Sequence, residues 1–67
     1  MIELSINGES KRIAPHTSVA QLIEQMNLAG KRIAVERNGE IVPRSQHAAV
    51  ELHAGDRLEI VVAVGGG

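Results

Sequence analysis

The sequence predicts a two-layer α+β domain, with one helix covering one face of a sheet of about four to five strands. Three observations carry that prediction. Apolar residues alternate with period two near both ends of the chain. A single internal segment switches to helical spacing. Two Asn-Gly pairs, Asn7-Gly8 and Asn38-Gly39, punctuate the extended stretches where hairpins would turn.

The elements follow in order. Ile2, Leu4 and Ile6 alternate with Glu3, Ser5 and Asn7, the pattern of a half-buried strand. Asn7-Gly8 then turns the chain, because both residues tolerate positive φ. A weaker strand returns through Lys11 and Ile13 and ends near Pro15. Val19, Leu22, Ile23 and Met26 make one stripe of a helix placed at about residues 19–28. Ser18 and Gln21 have the spacing of a capping box at its start. Gly30 is placed to adopt the left-handed conformation beyond its end, with Lys31 and Arg32 near the negative pole of its dipole. Ile33 to Val35 begins a third strand, and Glu40 to Val42 forms a short extended piece closed by Pro43. "RSQHA" suits a turn or one loose helical turn, and Val50 with Leu52 a short strand. "HAGD" turns the chain again at Gly55-Asp56. Arg57 to Val64 reads as the longest strand, with Leu58, Ile60, Val62 and Val64 on one face and Glu59, Val61 and Ala63 on the other.

Composition bounds the function. Sixty-seven residues make one domain near the lower size limit for a chain that folds on a hydrophobic core alone. The hydrophobic fraction of 43% is that of a globular protein, yet Phe, Tyr and Trp are all missing, so the core must be aliphatic. With no cysteine, disulfides and cysteine-bound zinc are both excluded. The N-terminal "MIELSINGES" has a strand pattern rather than that of a signal peptide. No apolar run approaches the ~20 residues needed to span a bilayer. A soluble, cytoplasmic domain, monomeric on its own, is the expectation. The net charge of −1 and the lack of aromatic residues remove the electrostatic and stacking signatures of nucleic-acid binding.

Catalytic chemistry is equally hard to find. "AGKR" at Ala29 to Arg32 fails as a phosphate loop, because Gln25 stands where the first Gly belongs and Arg32 where Ser or Thr would hold magnesium. His16, His47 and His53 fall in predicted turns, without the i, i+4 spacing of a helical metal site, and are expected to be exposed. The carboxylates are scattered over predicted surface positions, and no Ser sits in a Gly-x-Ser-x-Gly turn. A domain this small has little room for a substrate pocket of about 300–1,000 Å³. The chain is expected to be acted on by enzymes rather than to be one, and to hold no cofactor or metal of its own.

That leaves Gly65, Gly66 and Gly67. Read alone, they fit either a frayed end or a working part. A glycine run has no Cβ, so it can lie extended in a channel too narrow for side chains. Three such residues reach roughly 10 Å at ~3.3–3.6 Å each. The carboxylate they carry is ionised at neutral pH and inert as an acyl group, so a partner must first give it a leaving group.

The whole chain also resembles a known family. The stretches "INGES", "TSVAQLIEQMNL", "IAVERNGEIVPRSQH" and "GDRLEIVVAVGGG" together are similar to the ThiS family, the sulfur carriers of thiamine biosynthesis. "NGEIVPRS" is the most specific internal piece, while a terminal Gly-Gly is common to ubiquitin-like carriers. The resemblance implies the β-grasp (ubiquitin-like) fold, with a mixed sheet over residues 1–64 and a flexible tail over residues 65–67. It further implies that Gly67 is adenylated by a ThiF-type E1-like enzyme using ATP and magnesium. Sulfur from a cysteine-desulfurase persulfide then yields a thiocarboxylate, which passes its sulfur to thiazole synthase (ThiG).

The residues add a docking surface to this. Val61 and Ala63 are apolar on a sheet face that the single helix leaves open. With Val64 and Ile41 they are expected to form an apolar patch at the base of the tail, suited to a partner protein. β-propensity alone also accounts for them. Two other functions fit the same fold: a MoaD-like carrier supplying sulfur to molybdopterin or another product, and a ubiquitin-like modifier or interaction module.

Overall fold

The structure, a computed structural model, describes residues 1–63. Its elements are β1 (Ile2–Ile6), β2 (Glu9–Ile13), α1 (Val19–Gln25), β3 (Ile33–Arg37), β4 (Glu40–Ile41), a 3-10 helical turn (Arg44–Gln46) and β5 (Arg57–Val62). The five strands form one sheet in the order β2-β1-β5-β3-β4. β5 pairs in parallel with β1 and antiparallel with β3, so the last strand sits in the middle of a mixed sheet. The two hairpins turn where expected: Asn7 and Gly8 have φ of 52° and 85°, and Asn38 and Gly39 have 53° and 86°.

One face of the sheet packs against α1. Leu4, Ile6, Ile13, Val35, Leu58 and Ile60 point inward from the strands, and Val19, Leu22 and Ile23 meet them from the helix. Leu22 and Val19 have no exposed surface at all. Branched aliphatic side chains thus fill the interior that a larger domain would share with aromatic rings.

The helix is shorter at its C-terminus than its apolar stripe suggests. It stops at Gln25 rather than at residue 28, because Asn27 takes the left-handed conformation (φ 60°). The Asn27 N–H donates to Glu24 O at 3.0 Å and the Leu28 N–H to Ile23 O at 2.9 Å, the paired bonds of a Schellman motif. Asn27 does what was expected of Gly30. Gly30 (φ 83°) instead shapes the following turn, where the Lys31 N–H reaches Leu28 O. No basic residue lies in the last helical turn, so Lys31 and Arg32 are not the dipole partners that their positions suggest.

At the other end the capping box forms as predicted: Ser18 Oγ accepts from the Gln21 N–H at 3.1 Å, and Gln21 Oε1 accepts from the Ser18 N–H at 2.9 Å. The remaining orphan donors explain the fate of the segment around Val50. The Val19 N–H donates to Val50 O and the Ala20 N–H to His47 O, both at 2.9 Å. Val50 to Leu52 is therefore a strap across the helix start, with a single bridge between Ser18 and Glu51, rather than a strand of the sheet. The strap also explains why His47 is buried rather than exposed: its Nε2 lies 3.1 Å from Val42 O beneath the turn.

Candidate functional site

β5 leads toward Gly65, Gly66 and Gly67, and how it is held decides what it can present. The two central ladders flank it on either side. Beyond the end of β1, the Asn7 side chain continues the pairing: its Nδ2–H donates to Ile60 O at 3.1 Å, and the Ile60 N–H donates to Asn7 Oδ1 at 2.8 Å. An amide side chain thus stands in for one more strand residue. The second Asn-Gly turn does the same at the start of the strand, where the Arg57 N–H donates to Asn38 Oδ1 at 2.9 Å. Both asparagines are legible in the sequence as turn residues, but their hold on β5 is not.

Asp56, directly before β5, is the carboxylate that the sequence misplaces. It is buried rather than on the surface. Its oxygens accept from the His53 N–H at 2.8 Å, Arg37 Nε at 3.0 Å and Asn38 Nδ2 at 3.1 Å. Burial alone would raise its pKa, but those hydrogen bonds and the Arg37 charge outweigh it and hold the carboxyl below its ordinary value. A charge this well satisfied is a structural clamp between the turn at Gly55 and the β3–β4 hairpin.

The face of the sheet away from α1 carries the expected apolar residues. Val61 is 62% and Ile41 67% exposed, and Ala63 is exposed as well. The register brings Val61 opposite Ala34 and Ile41 opposite Glu36, so Ala34 joins the patch between them. Ala34 escapes a sequence reading because nothing there fixes the register. Val64, Gly65, Gly66 and Gly67 lie outside the described residues. Next to the patch, Glu36 and Glu59 face each other directly across β3 and β5. His16 and Glu51 pair at 3.0 Å on the surface, and among the described residues no group of three or more His, Asp or Glu is arranged to hold a metal. Nor is any described helix long and apolar enough to cross a membrane.

A small β-grasp domain, with its last strand locked in the sheet centre and an exposed apolar patch beside that strand, is of the ubiquitin-like class. Comparison with known proteins narrows this. The ThiS family model matches residues 4–67, and the chain belongs to that family. It is 38% identical over 65 residues to the sulfur carrier protein ThiS of Bacillus subtilis, covering 98% of that protein. The crystal structure of the thiamine biosynthesis protein ThiS from Geobacter metallireducens superposes with a TM-score of 0.83 at 29% identity, over 98% of this chain and all of that one. A further relative is a thiazole synthase of Paramagnetospirillum magneticum, 42% identical over 66 residues. The chain spans 20% of the length of that protein, and the same share of a thiazole synthase from Magnetococcus marinus.

Proposed function

We propose that this chain is a sulfur carrier of thiamine biosynthesis, a protein acted on by enzymes rather than one itself, and that Gly67 bears the sulfur. The observation that carries the reading is the family match, which spans residues 4–67 and so takes in both the β-grasp domain and Gly67. In this cycle a ThiF-type enzyme joins the Gly67 carboxylate to AMP, using ATP and magnesium and releasing pyrophosphate. The outer sulfur of a cysteine-desulfurase persulfide displaces AMP to give an acyl disulfide. A second thiol then attacks its S–S bond, forming a disulfide with the desulfurase cysteine and releasing the thiocarboxylate. Thiazole synthase then takes up the sulfur. Kinship with a segment of two thiazole synthases supports that enzyme as the acceptor. The patch of Val61, Ala63, Ile41 and Ala34 is the surface on which these enzymes would dock.

The reading is tested by intact-mass spectrometry after incubation with a ThiF-type enzyme, ATP, magnesium, a persulfide donor and a thiol reductant. One oxygen at Gly67 should be exchanged for sulfur, and deleting Gly66 and Gly67 should abolish the change while leaving the fold intact. A product joined through a lysine would mark a ubiquitin-like modifier instead. Transfer to molybdopterin synthase chemistry but not to thiazole synthase would mark a MoaD-like carrier.

A further inference from the structure

β2 closes one side of the sheet, and among the described residues β1 is its only partner. The hairpin fixes which of its backbone groups are free. Ile6 and Glu9 flank a two-residue turn and so exchange hydrogen bonds, as do Leu4 with Lys11 and Ile2 with Ile13. β1 obeys the same alternation, since the N–H groups of Ser5 and Asn7 turn the other way, to Asp56 O and Leu58 O. The N–H and C=O groups of Ser10 and Arg12 therefore point out of the sheet into solvent. At the opposite side β4 has two residues and offers no edge of similar length.

A groove of about 360 Å³ lies along this edge, lined by Ile6, Asn7, Glu9, Ser10, Lys11 and Met26. Buried Ile6 and half-buried Met26 give it an apolar floor. Lys11, paired with Leu4, stands on the helix side of the sheet, and Arg12, paired with Glu3, on the other. Glu3 is occupied by the Ser10 hydroxyl, which donates to its Oε2 at 2.7 Å. Among the described residues neither Lys11 nor Arg12 has a carboxylate within ion-pair distance.

We propose that the β2 edge and its groove bind an extended, acidic segment of a partner protein by strand addition. The segment's backbone pairs with Ser10 and Arg12, an apolar side chain enters the groove over Ile6 and Met26, and its carboxylates meet Lys11 and Arg12. Charge selects this occupant. A second copy pairing through Ser10 and Arg12 would set Lys11 against its own counterpart, the like-charge repulsion by which edge strands avoid self-association. An acidic strand meets no such barrier at Lys11 and Arg12, where its carboxylates lie toward the Ile13 end of the edge and away from Glu9 beside the turn. β1 separates β2 from β5, so the site leaves Val61 and Ala63 accessible, and it stands or falls independently of the chemistry at Gly67.

The test is a titration of the ¹⁵N-labelled full chain with the capped peptide Val-Thr-Val-Thr-Val-Asp-Asp, followed by NMR. Saturable shifts are expected at the amides of Ser10, Arg12 and Met26, with Ala34 and Val61 unmoved. Hydrogen exchange at Ser10 and Arg12 should slow by about tenfold. Replacing the two aspartates by lysines should weaken binding by about tenfold or more. Ser10→Pro removes one outward N–H and the hydroxyl's bond to Glu3 but none of the backbone bonds to β1, and should abolish binding. K11E combined with R12E leaves the backbone intact and should reverse the preference between the two peptides, which keeps the test decisive if Ser10→Pro fails to fold. Shifts confined to the Val61 face, equal affinity for both peptides, no shift at all, or self-association through β2 would each overturn the proposal.

Discussion

Asn7→Gly should destabilise the domain through a strand that begins fifty residues later in the chain. Glycine keeps the positive φ of the turn, so the substitution removes only what the side chain does. That is two partly buried hydrogen bonds, one given to Ile60 O and one accepted from the Ile60 N–H. At about 0.5–1.5 kcal/mol each, their loss costs about 1–3 kcal/mol. The extra freedom of glycine in the unfolded chain adds about 0.5–1 kcal/mol. For a domain of this size each kcal/mol lowers Tm by about 4–8 °C, so a central loss of about 3 kcal/mol should cost about 12–24 °C. Urea unfolding should show a lower midpoint at unchanged slope, and hydrogen exchange at the Ile60 amide should accelerate more than at Val35 in the neighbouring strand. Asn7→Asp is the sharper companion. It retains an acceptor for the Ile60 N–H but turns a carboxylate oxygen toward Ile60 O. Stability within about 0.5 kcal/mol of the parent in Asn7→Gly, with Ile60 still protected, would refute the idea that this side chain extends the parallel ladder.

Three further outcomes follow from the same structure. The depressed pKa of Asp56 contributes stability that is complete above its unfolded value near 3.8 and is lost as pH falls through the lower folded value. The urea midpoint of the parent should therefore drop with acidification below about pH 4, and Asp56→Asn, already weaker at neutral pH, should show a shallower drop. Leu22→Ala empties the centre of an aliphatic core and should cost about 2–5 kcal/mol by urea unfolding, a large share of the total for so small a domain. Val61→Glu changes an exposed side chain, so its Tm should stay within a few degrees of the parent, while adenylation by the ThiF-type enzyme falls by about tenfold or more in a pyrophosphate-release assay; full activity would remove the patch from the docking surface.

Local rules carried most of the fold. Ile2, Leu4 and Ile6, the Ser18–Gln21 box and both Asn-Gly turns are short-range patterns, and each forms where its pattern lies. The features that escaped depend on contacts between distant residues. The stripe through Met26 is helical in spacing, but Asn27 terminates the helix because its left-handed turn satisfies two carbonyls at once. Val50 and Leu52 have strand-like residues, yet the nearest unsatisfied donors belong to the helix start rather than to a sheet edge. Asp56 looks like one more surface carboxylate until Arg37, Asn38 and the His53 N–H converge on it. Of the proposed docking residues, Val61 and Ile41 were legible as apolar side chains on an open face; their neighbour Ala34 required the register.

The position of β5 links stability to the proposed carrier function. A strand at the edge of a sheet can peel away by breaking one ladder, whereas β5 must break its bonds to β1 and β3 together. Its two asparagine staples, at Arg57 and Ile60, add fixed points near either end of the strand. Pulling on the residues beyond β5, as an enzyme that draws them into a channel would do, therefore loads the centre of the fold rather than its margin. The same arrangement puts the parallel pair β1 and β5, from opposite ends of the chain, side by side in the core. Such long-range pairing closes late in folding. The firm base that β5 provides thus exists only once β1 and β5, from opposite ends of the chain, have paired, so under the proposed function an unfolded chain would be a poorer substrate for an adenylating enzyme than a folded one.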